Sequence, residues 1–342
     1  PALFHDPTGT EPYRSRNKRG GFITHYAYDW RRHKVPPKQV ANANPLQFML
    51  LDATEAALKQ AGYLNEGKPF DRDRVGVIVG SIFGGDFSNE LQAGLRLPEF
   101  GRSLRALLRG KGMDAAAIDE AVKQYEELLL KKMPALLDET GSFTSSTLAS
   151  RITKTFDLKG GALALDAGNA SGLAALGACI NVLRSGVCDM MICATGQRNM
   201  DITVFESLTR FGFLAPGADY PTYDAHSEGY LPGEGCGALL LRRLSDAKRD
   251  GDPILAVLHG VGASSDFKEP GAAMRRAMER ALAVAGASAN ELCGVEALGM
   301  RPELAEAEVR AITAVTAADQ VDHPLVVNSL VSQFGFMGAA HA

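Results

Sequence analysis

The chain has 342 residues, a formal net charge of −4, and apolar and charged fractions of 46% and 22%. That is length for one large domain or a doubled one with a sizeable core, in an ordinary globular composition. The mildly acidic balance excludes nucleic-acid binding by bulk charge, and no apolar run reaches the roughly 18 residues of a membrane span. No secretory leader pattern is present, so neither export nor membrane insertion is expected. Five cysteines (Cys179, Cys188, Cys193, Cys236 and Cys293) show no CxxC pairing. Four lie in or beside apolar runs, as buried free thiols do in a reducing compartment, and the expected location is cytoplasmic.

Residues 45–62 predict an amphipathic helix closed by Gly62, and 75–80 (VGVIVG) a short buried strand. Ile118, Val122, Tyr125 and Leu129 recur at helical spacing over 112–133, and Pro134 ends that helix. A helix at 146–156, a strand at 161–165, a small-residue helix from 170 to 185 and a strand at 188–194 follow. Strands are expected near 237–243 and 253–262, a helix at 268–286, a strand at 293–297, a helix at 303–317 and a strand at 324–329. Apolar runs without polar alternation belong to strands covered on both faces, hence a layered α/β architecture.

The most informative stretch is LDAGNASGLAALGACINVLRSG, residues 165–186. A buried strand ends, the chain turns through small residues, and an Ala- and Gly-rich helix begins. Such an elbow presents one side chain at a helix N-terminus, where free amides favour developing negative charge. The run resembles the nucleophile elbow of the β-ketoacyl synthases, with Asp166 aligned and Asn169 where the family's acylated cysteine stands. The stretch from Tyr223 to Asp266, opening YDAHSEGYLPGEGCG, resembles the family's Phe-Asp-x-x-x-x-Gly-Tyr-x-x-Gly-Glu-Gly block and the strand after it, and LTRFGFLAP (208–216), which includes Phe211, the loop that often gates its acyl pocket. The resemblance implies a thiolase-like doubled βαβαβ layered sandwich (αβαβα). It divides the chain into a ketosynthase-like N-terminal half, 1–245, with a helical insert near 112–137, and a C-terminal half, 246–342, that stops short of the family's usual end.

The same resemblance exposes a degenerate site. The family needs a thiolate to hold the acyl chain and two histidines to assist malonyl decarboxylation and stabilise the enolate. The Val-Glu-Ala-His-Gly-Thr motif here reads Val295 to Met300, with Leu298 for histidine. The Lys-Ser-Asn-x-Gly-His motif reads Val331 to Phe336, with Val331 for lysine and Phe336 for the second histidine. A carboxamide is not an acyl acceptor at neutral pH, and Leu and Phe donate no protons. The Asn169 carboxamide is expected to bond the elbow amides, so that no buried donor is stranded.

These losses imply a chain-length-factor-like partner of an active ketosynthase, paired as a dimer or heterodimer through the 161–165 strand. The alternative is a non-elongating ketosynthase homodomain of a modular synthase that binds acyl carrier protein. Neither needs a cofactor of its own, since acyl chains would arrive on the carrier's phosphopantetheine, and neither implies a nucleic-acid or membrane partner. Phe87, Asn89, Leu91 and Phe143 are the candidates for bordering the partner's acyl tunnel, and Arg31 and Arg32, in a basic strip over 14–38, for docking an acidic carrier protein. His226 and His341 read as structural, and His25, His33, His259 and His323 have no partner spacing for a metal or a triad.

Overall fold

A computed structural model describes residues 4–41, 43–64, 67–82, 86–132, 144–198, 201–318 and 323–341. A short helix, α1 (Pro37–Ala41), leads into α2 (Leu46–Gln60). Gly62, at φ +84°, turns the chain away from α2 in the left-handed region that glycine adopts without penalty. The next apolar run forms β1 (Val75–Gly80), buried along its whole length. Helices α3 (Asp86–Leu95), α4 (Leu97–Gly110) and α5 (Ala115–Lys132) follow, then α6 (Ser146–Phe156), β2 (Ala162–Leu165), α7 (Ser171–Ser185) and β3 (Met190–Gln197). Next come α8 (Ile202–Arg210), β4 (Gly235–Arg242) and α9 (Leu244–Arg249). The remainder holds α10 (Pro270–Ala285), β5 (Gly294–Glu296), α11 (Pro302–Ala318), β6 (Val326–Asn328) and α12 (Val331–Phe334).

The main sheet has the order β2-β1-β3-β4. β1 runs parallel to β2 and β3, and β4 antiparallel to β3. Val75, Val77 and Val79 pack with Phe48, Leu51 and Ile152 of α2 and α6. Ile78 and Cys193 face the other way, against Ala175, Leu176 and Cys179 of α7. Helices thus cover both faces, and this is why β1 reads as an uninterrupted apolar run. Gly80 sets how closely α7 approaches, since a Cβ there would stand 2.3 Å from the carbonyl oxygen of Ser171. β5 and β6 form a separate parallel pair.

Most expected elements stand where periodicity put them, within one to three residues. The helix expected at 112–133 is α5, and Pro134 lies outside the described residues. Periodicity does not mark α4, which packs on α5 through an Arg105–Asp119 ion pair, nor α3 and α8. Four arginines and two glycines in and beside α4 break up its apolar pattern, and its leucines answer to α5 rather than to the main core. The strand expected at 253–262 needs correction. Among the described residues it makes no backbone hydrogen bonds, and it lies along α10 instead. Gly260 and Gly262 permit this, because a Cβ on either would stand 2.6 or 2.0 Å from the carbonyl oxygens of Ala281 and Ala277. Apolar content alone does not make a strand; a hydrogen-bonded neighbour does.

Candidate functional site

β2 ends at Leu165, and α7 begins at Ser171. Between them Gly168 turns the chain with φ +60°. The buried Ser171 hydroxyl accepts from the Ala167 amide at 2.9 Å and donates to the Gly168 carbonyl at 2.6 Å, clamping the turn from within. Asp166 accepts from the Gly168 amide at 2.9 Å. Asn169 sits at the apex and is exposed. Its carboxamide bonds no described residue, which corrects the expectation that it satisfies the elbow amides. Solvent reaches this turn, so its donors need no internal partner.

Leu298, Val331 and Phe336, which belong to two motifs far apart in sequence, meet in one apolar cluster with Tyr230 and Met300. Phe336 is buried, edge-on to Tyr230 with ring centroids 5.4 Å apart. Its amide donates to the Leu231 carbonyl at 2.8 Å, and its carbonyl accepts from the Gly233 amide at 2.8 Å. Val331 is fully buried under Tyr220, whose hydroxyl donates to the Val331 carbonyl at 2.6 Å. Burial pushes the Tyr230 phenol up to about 12, so it stays neutral in this dry setting. Asn169 is not part of the cluster.

Beside Leu298 lies a polar knot that sequence reasoning missed. The buried Glu308 accepts from the Leu298 and Gly299 amides at 3.0 Å each and from the Tyr223 hydroxyl at 2.7 Å. Burial and that carboxylate both push the Tyr223 phenol upward. A glutamate ten residues after Leu298, inside a helical pattern of alanines and acids, carries no local sign that it turns inward.

The other candidates separate clearly. Phe211 is 70% exposed, the outer member of an aromatic series that runs through Phe213 and Tyr230 to Phe336. The Asn89 amide donates to Asp201 at 2.7 Å and Thr203 at 3.1 Å, tying α3 to the start of α8. Phe87 and Leu91 lie on α3 with side chains outside the described residues, and Phe143 lies outside them altogether. Arg31 is exposed and stacks over Trp30 at 5.5 Å. Arg32 is engaged within the chain by Asp52, at 2.8 Å, and by Glu55, so its charge is already neutralised. His226 projects into solvent and bonds Asp224 of its own turn. His341 packs against Phe336, and burial lowers its pKa. His33 has no partner spacing along the chain, but the fold brings it to Asp52 and Glu55.

A mixed sheet between two helical layers, with a small-residue elbow leading from β2 into α7, defines the thiolase-like ketosynthase fold. The model of the family "Beta-ketoacyl synthase, N-terminal domain" matches residues 1–247, and the chain belongs to that family. It is 31% identical over 288 residues, 81% of its length, to a polyunsaturated fatty acid synthase of Thraustochytrium sp.. It is 29% identical over 348 residues, 99% of its length, to polyketide synthase GfsB of Streptomyces halstedii. The chain spans a tenth or less of these curated relatives: 10% of the first and 6% of the second. Among solved structures, the oxazolomycin ketosynthase domain of Streptomyces albus superposes over 100% of this chain and 54% of its own, with a TM-score of 0.74 at 23% identity. No helix among the described residues is long and apolar enough to cross a membrane.

Proposed function

We propose that the chain is a catalytically silent, chain-length-factor-like ketosynthase domain that pairs with an active ketosynthase and shapes its acyl tunnel. The observation that carries this reading is the convergence of Leu298, Val331 and Phe336 in one apolar cluster. Decarboxylative condensation develops negative charge on an enolate, and charge in such a site needs preorganised donors. These side chains offer none, and Asn169 offers no thiol. We read the chain as two ketosynthase-like halves, 1–245 and 246–342, acting on acyl groups delivered by a carrier protein.

Pairing is supported by β2. It is an edge strand with Leu163 52% exposed, and a second chain could extend the sheet there. In this reading Phe87, Asn89, Leu91 and Phe143 border the partner's tunnel, with Phe211 at its mouth. Of the docking pair, Arg31 is the better placed to meet an acidic carrier protein, because Arg32 is already occupied.

The test is intact-mass analysis after incubation with acyl- and malonyl-carrier thioesters. The expected result is no adduct in the wild type, and no malonyl decarboxylation by the Asn169→Cys variant. A stoichiometric acyl adduct on the wild type, or decarboxylation restored by the single cysteine, would sink the proposal. The likeness to polyketide synthase GfsB favours a second reading, a non-elongating homodomain. Gel filtration with and without an active ketosynthase separates the two, since only the first forms the mixed dimer.

A further inference from the structure

The loop before α1 and the first turns of α2 converge on three side chains that the elbow and the Leu298–Phe336 cluster do not use. His33, Asp52 and Glu55 hold their donor atoms all within 4.8 Å of one another. They are the one such trio among the described residues. Asp52 and Glu55 stand three apart on α2, so both face the loop. The His33 side chain is 4% exposed, and its Nε2 lies 3.7 Å from Glu55 Oε2, without a hydrogen-bond partner among the described residues. A buried ring nitrogen is seldom left without one. The opposite ring nitrogen, Nδ1, is 2.8 Å from the Tyr28 hydroxyl, and the ring rests edge-on against Phe156 at 5.7 Å. Asp52 is held in turn by the Tyr26 hydroxyl, which donates to Oδ2 at 2.8 Å. One ring nitrogen fixed by a hydroxyl and the other aimed at two carboxylates is the arrangement that orients a metal-binding histidine.

We propose that His33 Nε2, Asp52 and Glu55 form a divalent-cation site of the zinc class, which pins the loop around residue 33 to α2. One imidazole and two carboxylates, with room left for water, is a donor set that Zn2+ accepts at bonds of about 2.0–2.2 Å. A metal takes the lone pair of the neutral imidazole, the form that burial favours at His33. Two cations attend the carboxylates: Arg32, on both of them, and Lys59, 2.9 Å from Glu55. The Arg32 side chain is 41% exposed and can swing into solvent, so the ion takes its place, while Lys59 stays on the outer oxygen of Glu55. Arg32 thereby competes with the metal.

The experiment is a Zn2+ titration of EDTA-stripped full chain against a chromophoric chelator, with Co2+ absorption as the reading of the ligand field. The expected result is one equivalent of Zn2+ and a Co2+ spectrum of nitrogen and oxygen donors. His33→Gln should weaken binding about 100-fold or more, and Tyr28→Phe about 10-fold, because it removes only the hydroxyl that orients the ring. Arg32→Ala should tighten it, an effect opposite to that of losing a structural ion pair. Should His33→Gln fail to fold, Tyr28→Phe and Arg32→Ala still decide. Absence of saturable one-to-one uptake by the wild type would overturn the site. So would equal affinity in Tyr28→Phe, or weaker binding in Arg32→Ala.

Discussion

Asp189 shows how single charges hold the layers together. Arg74 donates to its carboxylate from the turn before β1, and Arg243 from the start of α9. Arg243 also donates to the carbonyls of Leu183 and Cys188 at 2.9 Å each, so one guanidinium joins α7, β3 and α9. The Arg74 hydrogen bond, with help from Arg243 and against the cost of burial, holds the Asp189 carboxyl well below the usual carboxylate range. A depressed folded-state pKa stabilises fully above the unfolded value of about 3.9, and that contribution is lost as the pH falls below it. Urea midpoints at about pH 5 and about pH 3 should therefore fall further for the wild type than for Arg74→Gln. An equal fall in both proteins would show that the bridge does not survive in solution. The carboxylate is 38% exposed, so the effect is a modest one.

Among the elements, the elbow depends most on close approach. α7 can start beside β1 only because Gly80 carries no side chain, the Ser171 carbonyl being 2.3 Å from where a Cβ would stand. That neighbour is backbone, which cannot rotate aside. Gly80→Ala should cost about 1–3 kcal/mol in chemical denaturation by pushing the helix off the strand. Unchanged stability would mean that α7 is free to slide. The strand run 75–80 and the small-residue turn were legible in sequence because both are local patterns. α4 was not, since its apolar face serves a helical neighbour and breaks the pattern of a core helix. Segment 253–262 misled for the converse reason: it has a strand's composition but lies on α10, with no strand hydrogen-bonded to it among the described residues.

For the whole molecule, the open edge of the sheet carries the largest consequence. Among the described residues β2 bonds β1 on one side only, and its Leu163 is 52% exposed. An apolar edge of this kind templates pairing with another chain. Leu163→Asp should leave the thermal midpoint nearly unchanged, because the side chain packs on little within its own chain. Under the proposed pairing, sedimentation should show a dimer, or a mixed dimer with an active ketosynthase, for the wild type and only monomers for the variant. A dimer that persists in Leu163→Asp would place the interface elsewhere.

The family and the elbow are legible in the chain alone, and so is the proposed reading of positions 169, 298, 331 and 336, because each is carried by a short motif whose spacing survives without knowledge of its neighbours. That three of these positions meet is not written in the motifs. Helix α11 and strand β6 lie between Leu298 and Phe336 in the chain, and packing alone brings the two into one apolar cluster with Val331 and Tyr230. It also decided that the Arg32 charge is neutralised within the chain, that Glu308 turns inward onto the backbone of the first motif, and that His33 meets Asp52 and Glu55. Spacing along the chain records which residues share a strand or a helix face. Which faces then meet, and which buried atoms find partners, is settled only when distant segments pack.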